Sequence, residues 1–185
     1  MKFNMGCGLN KLHDYVNVDR YSECVPDLQI DLEQFPWPIN SSEADEVVFN
    51  HCLEHLGQTP DIFLGVMKEL YRISKPNARI FVNVPHPRHE HFIGDPTHVR
   101  VINPLVLNLF SKKNNLIWKQ NNIANTPLAL YLDVDFELLE TIQVLDPYYQ
   151  DMFDKKELSI ADLNRIALDR NNVIQEYRMI LKVIK

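Results

Sequence analysis

The chain has 185 residues, 45% of them hydrophobic, enough for a single domain whose core needs neither disulfides nor metals to hold it. With 19 Lys and Arg against 25 Asp and Glu the formal charge is −6, which disfavours a nucleic-acid partner, because phosphate-backbone binding rests on clustered cations. No apolar window is long enough to span a bilayer, no signal-peptide pattern opens the sequence, and Cys7, Cys24 and Cys52 form an odd set without metal-type spacing, so reduced thiols in a cytoplasmic protein are expected.

Five short strands are predicted first: Lys2 to Gly6, Tyr15 to Asp19, Leu28 to Asp31, Asp45 to Asn50 and Ala78 to Pro85. Between the fourth and fifth, Thr59-Pro60 gives an N-cap and a proline at the first helical position. Ile62, Phe63, Val66, Met67, Leu70 and Ile73 then repeat at helical spacing until Lys75-Pro76. Asn103-Pro104 starts a second helix that runs to about Phe110. Leu130 to Leu145 and Val173 to Ile184 are rich in β-branched and aromatic residues and are expected to pair as antiparallel strands, with a helix from Ser159 to Leu168 between them.

The early connections are short. Residues 7 to 14 alone separate the first two strands, whereas a helical crossover needs about a dozen residues or more. In these strands Phe3 and Met5, Val16 and Val18, and Leu28 and Ile30 alternate with Asn4, Asn17 and Gln29, the pattern of a sheet with one dry and one wet face. One face over strands one to three is therefore expected to lack helices and to show the two Asn and Gln29 to water. With no large apolar patch there, a monomer is favoured over a homodimer. Val47-Val48-Phe49 and Ile80-Phe81-Val82 are continuous apolar runs, as expected of central strands covered on both sides.

Polar residues and glycines close five successive strands: Gly6-Cys7-Gly8, Asp19, Asp31, Asn50-His51 and His86. Ligands of open α/β sheets bind outside those strand ends, where glycines let a ligand approach the backbone and a carboxylate accepts hydrogen bonds from a ribose diol. An isolated Gly-x-Gly is only a tight turn; the order of the whole series is what carries information.

That order, FNMGCG, then NVD, IDLEQFPWP, ADEVVFNHCLEHL and ELYRISKPNARIFVNVPHP, resembles the class I methyltransferases across residues 2 to 86. The resemblance implies an α/β, Rossmann-like sheet, mostly parallel with an antiparallel C-terminal strand, and S-adenosyl-L-methionine as cofactor. It places Gly6 and Gly8 at the methionine end of the donor and Asp19 at the ribose. Asp31 and Leu32 fall beside the adenine, and Asn50 and His51 near the methionine moiety. The sequence departs from the family pattern at Asn4, where an acidic residue is usual, at Asn10, where a third glycine often stands, and in its missing first crossover helices.

The segment from His86 to Arg100 holds four His and two Arg. No helical or ribbon spacing fixes these imidazoles, so no metal ligands are expected. Asp95-Pro96-Thr97-His98-x-Arg100 is similar to a motif of methyltransferases that modify sugars and polysaccharides, which implies that Asp95, His98 and Arg100 bind a small-molecule or carbohydrate acceptor. Methyl transfer to a hydroxyl needs a base, and Glu54, His86 and His98 are the candidates. Two alternatives remain: an adenosine-ligand-binding protein of the same fold without catalysis, and a metal-dependent hydrolase built on the His86 to His98 loop.

Overall fold

The computed structural model describes residues 1–185. One seven-stranded sheet organises the chain: β1 (Lys2–Met5), β2 (Val16–Asp19), β3 (Leu28–Gln29), β4 (Ala44–Asn50), β5 (Ser74–Pro85), β6 (Phe136–Leu145) and β7 (Ile174–Val183). Their spatial order is β3-β2-β1-β4-β5-β7-β6. The first five strands run parallel, and β7 enters antiparallel between β5 and β6. The order reverses between β1 and β4, and the register sets Met5 beside both Val18 and Phe49, so the carboxyl ends of β2, β1 and β4 lie level.

Helix α1 (Pro60–Ile73) is the one α-helix inserted among the parallel strands. It starts because Pro60 has the required φ at the first helical position; the Thr59 side chain makes no capping bond. It stops at Ile73 rather than at Lys75, because Pro76 drives the residues before it into extended backbone and Ser74 already has ψ 141°. Phe63, Val66, Met67, Leu70 and Ile73 are buried in one core with Phe3, Met5, Val47, Phe49, Ile80 and Val82. Glu69, on the same helix, accepts hydrogen bonds from Trp37 N (2.7 Å) and from Arg72 Nε (2.8 Å) and Nη2 (2.7 Å), which ties the long β3–β4 connection to α1. Trp37 is buried there, its indole N–H donating to Leu32 O at 3.1 Å.

Beyond β5 come α2 (Glu90–Ile93), α3 (Pro104–Asn108), α4 (Lys112–Gln120), α5 (Leu128–Leu132), α6 (Pro147–Asp154) and α7 (Ile160–Asp169). Residues 130 to 135 do not extend the strand read over Leu130 to Leu145. Residues 130 to 132 complete α5, Asp133 caps it in the left-handed region (φ 53°), and β6 begins only at Phe136.

The expectation for the β1–β3 face holds in one respect and fails in another. No α-helix lies between Gly8 and Tyr15 or between Asp19 and Leu28, where only a single 3-10 turn, Ser22–Cys24, occurs. Asn4 and Asn17, however, are 2% and 5% exposed, whereas Gln29 is exposed as expected. The β1–β2 loop folds back over them. Asn4 Nδ2 donates to Asn10 O and to Asn17 Oδ1 (both 3.0 Å), and Asn17 exchanges bonds with Leu12 N (2.8 Å) and Leu12 O (3.2 Å). The two buried amides tie the backbone of the exposed β1–β2 loop to the sheet, and their own polar atoms find partners there. The central strands also differ from the reading: Val48 is buried, but Phe81 is only half-buried, so cover on that face is incomplete.

Candidate functional site

The strand ends open into a cleft of about 370 Å³, within the size range of small-ligand sites. Gly6, Asp19, Arg20, Tyr21, Ile30, Asp31, Leu32 and Glu33 form one wall, and His51, Cys52, His55, Leu56 and Thr97 the other. A wider depression of 530 Å³ between Phe153 and Ile160 is formed by the α6–α7 connection alone; its Ser159 caps α7.

Each wall residue owes its place to a local cause. Gly6 turns the chain at the end of β1 with φ 64°, and a Cβ there would fall 2.2 Å from Cys52 Sγ; only glycine suits both conditions. The Asp19 carboxylate, 8% exposed, accepts from Gly8 N (2.8 Å) and Tyr21 N (3.0 Å), so it fixes the glycine turn and keeps further lone pairs on the cleft side. Asp31 Oδ1 accepts from Glu33 N at 3.0 Å, and Glu33 Oε1 in turn accepts from Gly57 N at 2.7 Å, joining the two walls.

His51 follows β4 directly and has φ 51°, a left-handed conformation uncommon for a residue with a Cβ. Its Nδ1 stands 3.6 Å from Glu54 Oε1, and its Nε2 is 3.0 Å from Glu176 Oε2. The two carboxylates, Glu54 first, raise the imidazole above its usual pKa against the opposing effect of burial. Glu54 sits on the 3-10 turn Leu53–His55, is fully buried, and has no hydrogen-bond partner on either oxygen.

Five of the seven residues expected at the cofactor line the cleft: Gly6, Asp19, Asp31, Leu32 and His51. Gly8 stands behind, reaching the cleft through Asp19, and Asn50 turns to Asn83, whose Nδ2 donates to Asn50 Oδ1 at 3.0 Å. The other eight lining residues, Arg20, Tyr21, Ile30, Glu33, Cys52, His55, Leu56 and Thr97, were not among the residues expected at the cofactor. Most are sequence neighbours of strand-end residues; Thr97 is not, and arrives because the 95–100 loop folds back on the Leu53–His55 turn.

That loop is held at several points. Val99 N and Arg100 N both donate to Glu54 O (3.0 and 3.1 Å), and His55 Nδ1 is 3.0 Å from Thr97 Oγ1. Arg100, expected at the acceptor, turns inward: its guanidinium donates to Gly57 O and lies 4.4 Å over the Phe63 ring, and it does not line the cleft. Asp95 closes a local turn on Thr97 N (2.8 Å). His98 Nδ1 donates to Phe92 O at 2.9 Å. His86 accepts from Arg88 N at 3.2 Å and packs near Tyr177; burial, then Arg88, lowers its pKa. It also stands outside the cleft wall. The rest of the His86 to His98 loop is anchored structurally, with Arg88 donating to Ala167 O, Leu168 O and Arg170 O at the end of α7 and His89 Nε2 3.2 Å from Asp146 Oδ2.

A mostly parallel sheet in this order, with one antiparallel strand and a cleft at the reversal point, is the Rossmann-like class I methyltransferase fold. Among solved structures, a methyltransferase dependent on S-adenosylmethionine from Archaeoglobus fulgidus is similar with a TM-score of 0.60 at 19% identity, over 98% of this chain and 85% of that one. The 1,6-didemethyltoxoflavin N1-methyltransferase of Burkholderia thailandensis, solved with S-adenosylhomocysteine, gives 0.54 at 11% identity over 100% and 71%. A cyclase gives 0.54 at 14% over 99% and 75%, so this fold alone does not fix a reaction. No family model matches the chain, and no curated protein does. No helix is long and apolar enough to cross a membrane.

Proposed function

We propose that the cleft binds S-adenosyl-L-methionine and that the protein transfers its methyl group to a small-molecule or carbohydrate acceptor. The observation that carries this reading is the convergence of Gly6, Asp19 and Asp31, from three successive strand ends, on one cleft. Asp19, whose carboxylate retains free lone pairs, accepts from the ribose hydroxyls; Asp31, with Ile30 and Leu32, takes the adenine edge and face; the open backbone at Gly6 meets the methionine end, with His51 beside it. The sulfonium methyl then faces the His55 and Thr97 wall, where the acceptor enters. Most of the acceleration in such a transfer comes from holding the acceptor atom in line with the departing sulfur, with a base needed where the acceptor is a hydroxyl. Glu54, which is fully buried, and His98 lie behind that wall, outside the cleft lining, and of the three candidate bases they are the two attached to the turn and loop that form it; His86 stands apart. Asp95 and Arg100 act on the acceptor by shaping the loop that carries His98.

The test is turnover. Protein incubated with methyl-labelled S-adenosylmethionine and panels of sugars, polysaccharides and hydroxylated small molecules should label a member of one panel. The abbreviated β1–β2 connection favours a second reading, an adenosine-ligand-binding protein without catalysis, and donor binding without label transfer to any acceptor would select it.

A further inference from the structure

Three potential metal ligands meet at the cleft wall although the sequence gives no ligand spacing. Glu54 and His55 are adjacent on the Leu53–His55 turn, His98 comes from the loop stapled to Glu54 O, and their ligand atoms all lie within 4.8 Å of one another. The Glu54 carboxylate is fully buried, and neither oxygen has a hydrogen-bond partner. Apart from the His55 and His98 imidazoles, the His51 ring stands 3.6 Å away. A buried carboxylate whose oxygens lack hydrogen-bond partners is costly to leave as it is, and a cation bound there would relieve that cost.

Both imidazoles are oriented for ligation. A carbonyl oxygen can only accept, so the contacts of His98 Nδ1 with Phe92 O (2.9 Å) and of His55 Nδ1 with Thr97 O (3.3 Å) put the proton on Nδ1 in each ring. Each Nε2 is left with its lone pair. Metal-binding imidazoles are fixed in this way, the second ring nitrogen donating to a carbonyl or carboxylate. The rings meet edge to face at 4.5 Å.

We propose that Glu54, His55 and His98 form a binding site for one first-row divalent cation, such as Zn²⁺, Mn²⁺ or Co²⁺, in the wall of the cleft. Two imidazoles and a carboxylate favour these ions over Ca²⁺ or Mg²⁺, which prefer oxygen ligands. Bonds of about 2.1 Å set tetrahedral ligands roughly 3.4 Å apart, so the ion draws the three side chains together by up to about 1.4 Å, within the reach of side-chain rotation. His55 and Thr97 line the cleft, so positions left open by three protein ligands adjoin it. Arg100, clamped between Gly57 O and Phe63, is a positioning residue for the loop that brings His98. The expectation of no metal ligands rested on chain spacing, which cannot register a contact between turns far apart in the sequence.

The experiment uses untagged full-length protein, stripped with a chelator and titrated with Co²⁺ alone, read by visible absorption and by calorimetry with Zn²⁺. Because no donor is added, failure of the S-adenosylmethionine reading leaves this outcome untouched. The expected result is one ion per chain, with binding weakened at least tenfold by Glu54→Gln and by His98→Asn and unchanged by His91→Asn. Circular dichroism checks folding; if Glu54→Gln does not fold, His98→Asn carries the comparison. No cobalt absorption in the folded protein at millimolar metal, or binding that His98→Asn leaves unchanged, would overturn the proposal and leave Glu54 as the counter-ion of His51.

Discussion

Replacing Gly6 by alanine places two separable strains on the cleft floor. The first is conformational: at φ 64° an L-residue with a Cβ costs about 1–2 kcal/mol more than glycine. The second is steric. The new Cβ would stand 2.2 Å from Cys52 Sγ and 2.9 Å from Cys52 Cβ, where ordinary contacts are no closer than 3.4 Å. Cys52 is 7% exposed and packed in the core, and overpacking of this kind costs about 1–3 kcal/mol. Gly6→Ala is therefore expected to destabilise by about 2–5 kcal/mol, out of a total of about 5–15 kcal/mol for a typical domain. Gly8 provides the control: it has φ 50° but open space where an alanine methyl would stand, so Gly8→Ala should show the conformational part alone, about 1–2 kcal/mol. Removing the sulfur relieves the closer of the two clashes and leaves the 2.9 Å approach to the Cys52 Cβ. In a cycle of Gly6→Ala, Cys52→Ala and the double variant, followed by urea denaturation, the two substitutions should couple by about 1–3 kcal/mol, with the double variant more stable than the sum of the singles. If Gly6→Ala is no more harmful than Gly8→Ala, or if the cycle shows no coupling, the close packing of Gly6 on Cys52 is wrong.

Glu69 supplies an acid-dependent part of the stability. Arg72 and the Trp37 amide hold its carboxyl below the usual range, against burial. The unfolded chain therefore takes up this proton first, so the contribution is complete above the unfolded pKa and is lost as the pH falls through the folded one. Glu69→Gln should cost about 2–3 kcal/mol at neutral pH and flatten the acid limb of a stability profile; an unchanged limb contradicts the network. Arg100→Ala should lower the thermal midpoint without abolishing donor binding, and Arg100→Lys should restore little, because the ammonium lacks the flat face that stacks on Phe63. Full rescue by lysine would refute the stacking. His98→Ala should leave S-adenosylhomocysteine affinity within about twofold while turnover falls; equal loss of both would place His98 at the donor instead.

The parallel half of the sheet was legible because its signals are local. Alternation in residues 3 to 5 and 16 to 18, and Pro60 ahead of a helical repeat, need no knowledge of what lies opposite. Where a signal depended on a distant partner, the reading failed. Asn4 and Asn17 alternate with apolar residues as water-facing side chains do, but they are buried because the loop they anchor folds over them. Helix α6 has the same start as α3, Asp146 capping Tyr148 N ahead of Pro147, and was hidden by the strand-like run before it. Helix α4 has mostly polar residues and a weak apolar stripe, so its Ser111 cap had nothing to reinforce it. The donor side of the site follows strand ends and could be read in order; the opposite wall depends on Thr97 and His98 meeting His55, a contact across 42 and 43 residues that no periodicity records.

The central claim is that the strand-end cleft binds the methyl donor, and titration of S-adenosylhomocysteine into the intact protein by calorimetry tests it most directly. The account predicts one saturable site per chain. Asp19→Ala should weaken it by roughly 10- to 100-fold, since a hydrogen bond to a charged group contributes about 1.5–3 kcal/mol and about 1.4 kcal/mol corresponds to a factor of ten. Absence of heat at millimolar ligand from folded protein, or binding that Asp19→Ala leaves unchanged, would contradict it.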